Sequence, residues 1–105
     1  AQHGANLIVV VVDNGAYGTI RMHQEREYPG RVSATTLANP DFAALGAAYG
    51  AWSARAETTA QFIAALEEAK GRSGIRLIHA VTDLERIAAS GATITGLRAR
   101  TKATA

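Results

Sequence analysis

Leu7-Ile-Val-Val-Val-Val12 is an unbroken run of apolar, mostly β-branched residues with no polar alternation. Such a run predicts a strand buried on both faces, the habit of a central parallel strand in an α/β sheet. Asp13-Asn14-Gly15 ends it with a strong turn signal. Any fold proposed for the chain must cover both faces of that strand and must use the turn at its carboxyl end.

The rest of the pattern supplies helices and further strands. Tyr17–Gln24 predicts a short helix, followed by polar Gln24–Glu27 and a Tyr28-Pro29-Gly30 turn. Ser33–Thr36 reads as loop, so residues 16–38 form a long connection expected to be functional or mobile. Asn39-Pro40-Asp41 predicts a helix start with Asn39 as cap, Pro40 at the first helical position and an acid in the first turn. Phe42, Leu45 and Tyr49 would fall on one face of it, and Gly50 would stop it. A short strand is expected over Ala51–Ala56. Thr58–Gln61 fits a capping box opening a helix with the apolar stripe Phe62, Ile63, Leu66 and Ala69, closed by Gly71. Ile75–Val81 is a second strand, and its Arg76 and His79 point to an edge position or a wetter face. From Leu84 the chain turns rich in Ala, Thr, Gly and Arg, which suits a frayed helix or an arm awaiting a partner.

Strands alternating with helices predict an α/β fold with a parallel sheet and flanking helices. A chain of 105 residues, 48% hydrophobic, has room for one modest core. The 11 Lys+Arg against 9 Asp+Glu make a net charge of +2, which gives no reason to expect nucleic acid or a membrane surface as partner. Without cysteine there is no disulfide, thiolate nucleophile or cysteine metal site, and a reducing, cytoplasmic setting is expected. No Walker or GxGxxG signature is present, and Ser33 and Ser53 lack a nucleophile elbow. Trp52 and the tyrosines are too scattered for a base-stacking platform.

Ligands of open parallel sheets bind beyond the carboxyl ends of the strands. There Asp13 and Asn14 offer hard oxygen donors, and Gly15 and Gly18 allow close backbone approach. Such donors suit Mg²⁺ carrying a phosphate; the same residues also suit a plain turn. His3, His23 and His79 have no metal-ligand spacing, and His79 fits a core or edge place. His23 fits the polar surface. Glu25 and Glu27 offer a weak case for paired-carboxylate chemistry. Arg21, Arg26 and Arg31 fit either an anionic ligand or a solvated stretch held by the interspersed glutamates.

The stretch from Leu7 through Asp13-Asn14-Gly15-Ala16-Tyr17-Gly18-Thr19-Ile20 to Glu25 resembles the second half of the thiamine-diphosphate motif of acetolactate-synthase-like enzymes. That family includes benzoylformate and pyruvate decarboxylases. The resemblance continues through Tyr28-Pro29-Gly30-Arg31, Asn39–Leu45 and Ala48-Tyr49-Gly50 to Thr82-Asp83, covering roughly residues 1–85. It implies half of a doubly wound, thiamine-diphosphate-binding domain over 1–85, with 86–105 as a C-terminal tail. It further implies that Asn14 coordinates Mg²⁺ through its side chain and Ala16 through its carbonyl. Gly15, Tyr17, Thr19 and Ile20 would lie along the cofactor, with Thr19 and Ile20 near the thiazolium and substrate. Simple pyruvate decarboxylases carry a catalytic Glu where Ile20 stands. Asp13 replaces the first Asn of the family's pair and is expected to support the turn.

The family's Gly-Asp-Gly does not occur in this sequence, and its activating Glu comes from another domain, usually of another subunit. No catalytic side chain is therefore assigned here. The resemblance implies a fragment beginning inside the helix before the Leu7 strand and inactive alone. It would act with the remainder of a parent enzyme and a second subunit, in a homo-oligomer, on a small 2-oxo acid. The alternative is a non-catalytic α/β interaction or regulatory module.

Overall fold

The computed structural model describes residues 1–104. They form two compact units. The first comprises Ala1–Asp13 with Asn39–Val81; the second comprises Asn14–Ala38 with the chain from Thr82 onward.

The first unit is a parallel three-stranded sheet of β1 (Leu7–Asp13), β2 (Trp52–Ala56) and β3 (Ile75–Val81), in the order β1-β3-β2. Register runs from Leu7 opposite Ile75 to Asp13 opposite Val81, and from Trp52 opposite Arg76 to Ala56 opposite Ala80. Two expectations change places. Ile75–Val81 is the central strand, and Leu7–Val12 lies at an edge, with Val10 41% and Val12 68% exposed. The polar residues of β3 mislead because each finds a polar partner inside the unit. The guanidinium of Arg76 donates to the carbonyls of Ala69 (3.0 Å), Arg72 (2.7 Å) and Gly74 (3.0 Å), and to Asn6 Oδ1 (2.9 Å). It caps the carboxyl end of a helix while buried, as a rigid fork of donors can. His79 is paired with Asp13.

One sheet face is covered by the helix Thr59–Lys70. Ala56, Ala65, Ala69 and Ile78 form its core, flanked by Ile8, Trp52, Ala54, Phe62 and Leu66. Fully burying a side chain such as Ile78 contributes about 1.5–3 kcal/mol. Thr58 is the expected cap, accepting from Gln61 N–H at 3.1 Å, while Gln61 Oε1 accepts from Glu57 N–H at 2.8 Å. Ile63, expected in the stripe, is exposed, and Ala65 fills its place. A small residue there brings the helix close to the sheet.

The helix Phe42–Ala48 lies against β2 and β3. Its cap is Asp41, which accepts from Ala44 N–H at 3.1 Å, and not Asn39, whose amide donates to Asp13 instead. The buried face is set by Gly46. Leu45 and Tyr49 are exposed, Tyr49 by 71%. A Cβ at Gly46 would meet Ser53 Oγ at 2.5 Å and Leu77 at 3.3 Å, so only glycine allows this approach. Gly50, at φ +81°, stops the chain as expected. Residues 1–6 form a turn and an irregular lead-in to β1.

In the second unit the long connection folds as a helix over Gly18–Glu27 and a hydrogen-bonded return. In chain order the four helices are α1 (Gly18–Glu27), α2 (Phe42–Ala48), α3 (Thr59–Lys70) and α4 (Ile94–Thr104). The tail is neither frayed nor an unpartnered arm: Ile94 and Leu97 are buried and α4 packs on α1. No helix among the described residues is long and apolar enough to cross a membrane.

Candidate functional site

Asn14 follows the last residue of β1, and its amide oxygen accepts from Ala16 N–H at 3.2 Å. This is a side-chain turn of the kind asparagine makes two residues ahead of itself. Gly15 permits it with φ +70°. A Cβ at Gly18 would lie 2.8 Å from Asn14 Nδ2, so the bare glycine leaves room for the amide.

The turn is braced from the other side of the connection. Tyr17 N–H donates to the Thr35 carbonyl (2.9 Å), and Leu37 N–H donates to the Gly15 carbonyl (2.8 Å). These bonds flank an antiparallel bridge between Ala16 and Thr36. In that pattern the carbonyl of the bridging residue faces away from its partner strand. Ala16 is 9% exposed, and its carbonyl receives no hydrogen bond among the described residues. Tyr17 is the N-cap of α1 without a side-chain cap bond, and the first turn holds no acid. Thr19 and Ile20 are exposed on that first turn.

The donor set suits a hard cation on a phosphate: an amide oxygen with a spare lone pair, a backbone carbonyl without a hydrogen bond among the described residues, and an uncapped helix N-terminus behind them. No group of three or more His, Cys, Asp or Glu side chains among the described residues could hold a metal.

The sequence matches the family described as thiamine pyrophosphate enzyme, C-terminal TPP binding domain, over residues 1–80. The chain belongs to this family. It thus carries a thiamine-diphosphate-binding domain, and its parallel sheet with flanking helices agrees with that membership. Comparison with curated proteins found no match.

Two clusters escape a reading of the sequence. In the first unit, His79 Nε2 lies 2.8 Å from Asp13 Oδ2, while Asp13 Oδ1 accepts from Asn39 Nδ2 at 2.8 Å. Phe42 stands edge-on to the imidazole with ring centroids 5.1 Å apart. Asp13, expected to support the turn, thus has its carboxylate taken up by His79 and Asn39. The signal available is a histidine in an apolar strand near a strand-ending acid.

In the second unit, Glu25 is 0% exposed. It accepts from Arg98 Nε (2.6 Å) and Nη2 (2.8 Å), from Arg21 Nε (2.9 Å) and from Gly30 N–H (3.0 Å). The Arg98 bonds, helped by Gly30 and Arg21, outweigh burial and hold its carboxyl down at about 2. Neither Glu25 nor Arg21 is therefore free for paired-carboxylate chemistry or an anionic ligand. Arg31 lies over the Tyr28 ring, 5.8 Å from its centroid. The Arg21–Glu25 spacing is legible as an i,i+4 pair; Arg98, 73 positions away, is not.

Proposed function

We propose that this chain supplies the Mg²⁺–diphosphate anchor of a thiamine-diphosphate-dependent enzyme acting on a small 2-oxo acid, of the decarboxylase or acetolactate-synthase-like kind. Asn14 Oδ1 and the Ala16 carbonyl are the metal ligands. The observation that carries the reading is the Ala16 carbonyl, without a hydrogen bond among the described residues and held by the Asn14 turn, within the matched family domain. Bound thiamine diphosphate supplies the carbanion-stabilising chemistry on the substrate's carbonyl carbon.

The chain's own residues bind and orient. Gly15 and Gly18 keep the backbone low enough for the diphosphate to approach. The uncapped first turn of α1 presents N–H groups to the anion. Tyr17, Thr19 and Ile20 line the cofactor side of that turn. Residues 1–85 act as the C-terminal half of the cofactor domain, and 86–105 as its tail. The remaining carboxylate ligand and the activating Glu come from the rest of the parent enzyme and a second subunit, in a cytoplasmic homo-oligomer.

Titration of Mg²⁺ in the presence of thiamine diphosphate, in the protein that carries this chain, tests the assignment. Asn14→Ala is expected to weaken binding by about 1–3 kcal/mol, and Asn14→Asp by less, because it keeps an oxygen ligand. Equal affinity in Asn14→Ala and the parent contradicts it.

A further inference from the structure

The family match ends at residue 80, yet the segment carrying Asn14 and Ala16 forms one compact unit with the chain beyond Thr82. We propose that Arg98, on the C-terminal helix α4, is a positioning residue for the Asn14–Ala16 anchor, acting through buried Glu25. The proposal rests on the reading of Asn14 and Ala16 as metal ligands.

The connection runs through hydrogen bonds and one backbone step, from Glu25 to Gln24. Arg98 makes two parallel bonds to Glu25, and Thr101 Oγ1 donates to the Arg26 carbonyl at 2.7 Å, so α4 grips the last turn of α1. Glu25 in turn accepts from Gly30 N–H, which fixes the reversal after α1. One residue earlier, Gln24 Nε2 donates to the Ser33 carbonyl (2.7 Å), and Gln24 Oε1 accepts from Thr35 Oγ1 (2.9 Å). These two bonds bracket Ala34, a non-glycine residue at φ +58°. That backbone conformation is unfavourable for alanine and persists only when its surroundings enforce it. The Thr35 carbonyl then accepts from Tyr17 N–H, and Leu37 N–H reaches Gly15, bracing the turn that presents the Ala16 carbonyl.

Removing Arg98 breaks this chain at its charge. Glu25 would remain buried with Arg21 as its main counter-charge, and a buried carboxylate stripped of its principal partner is strongly destabilising. The strain lies where the anchor is braced, so the loss would be local. Because α4 lies outside the matched region, the cofactor anchor of this protein extends beyond the matched domain.

The test compares Arg98→Met, Arg98→Lys and Asn14→Ala in the protein that carries this chain. Amide hydrogen exchange is measured without cofactor, and Mg²⁺ affinity is measured with thiamine diphosphate present. Arg98→Met is expected to raise the Mg²⁺ dissociation constant about tenfold, as loss of groups that orient metal ligands does. Arg98→Lys keeps the charge but not the paired bonds, and is expected to lose about threefold. Exchange should rise at α1 and at residues 33–37 and stay unchanged at β3. If Arg98→Met does not fold, Arg98→Lys carries the test alone. Parent-like affinity in the folded Arg98 variant while Asn14→Ala binds weakly overturns the proposal and leaves the ligand assignment standing. Equal loss of protection at β3 also overturns it, since Arg98 would then only stabilise the protein as a whole. Unchanged affinity in Asn14→Ala overturns the ligand assignment, and with it the positioning role.

Discussion

His79 Nε2 and Asp13 Oδ2 lie 2.8 Å apart, tying the middle strand of the sheet to the carboxyl end of β1. The imidazole is buried and its Nδ1 has no partner among the described residues, so Asp13 provides the one polar contact seen for the ring. The same carboxylate holds Asn39, 26 positions along the chain. One acid thus fixes both ends of the excursion that carries the candidate anchor.

Asp13→Ala should therefore destabilise the protein by about 1–3 kcal/mol, the cost of leaving a buried polar group unpaired. Asp13→Asn should cost less, because an amide can still meet both neighbours. Urea denaturation of the two variants beside the parent checks the order.

Glu25 gives the fold an acid limit. Its carboxyl, normally near 4.5, is held at about 2, chiefly by Arg98. A carboxyl depressed in the folded state adds stability that is present above 4.5 and is lost as pH falls from there through about 2. Denaturation midpoints measured from neutral pH to pH 2 should fall across that window. In Glu25→Gln the fall should be shallower and the neutral-pH stability lower.

Gly46 predicts a double-mutant cycle. Gly46→Ala would drive a methyl to 2.5 Å from Ser53 Oγ and 3.3 Å from Leu77, and should cost about 1–3 kcal/mol by overpacking. Ser53 Oγ is itself buried without a partner among the described residues, so Ser53→Ala should be neutral or stabilising. The pair together should recover part of the loss, because the two sites touch. Thermal melts of the four proteins measure the coupling.

The purified 105-residue chain, given thiamine diphosphate and Mg²⁺, should release no CO₂ from 2-oxo acids. It contains no Gly-Asp-Gly, and no cluster of three potential metal-binding side chains occurs among its described residues. A radiometric CO₂ assay over several 2-oxo acids is sufficient, and turnover would place the activating acid within this chain.

Local chemistry is legible in the amino-acid sequence. The β-branched run at Leu7–Val12, the Thr58 cap, the Gly50 stop and the turn at Asn14-Gly15 each follow from the steric and hydrogen-bonding habits of adjacent residues. They are enough for an alternating α/β order. Which strand is central is not legible. Arg76 and His79 look like edge residues until Ala69, Arg72, Asn6 and Asp13 bond them, and those partners come from outside their own strand. The Asn39 cap fails for the same reason, because its amide has a better use on Asp13 than at the helix start. The tail looks weak by composition, yet Arg98 finds in Glu25 a buried charge that no nearby residue announces. Propensity and patterning act over a few residues and can be read along the chain. The neutralisation of a buried charge acts through space, between residues as far apart as 73 positions, and only the folded structure assigns its partners.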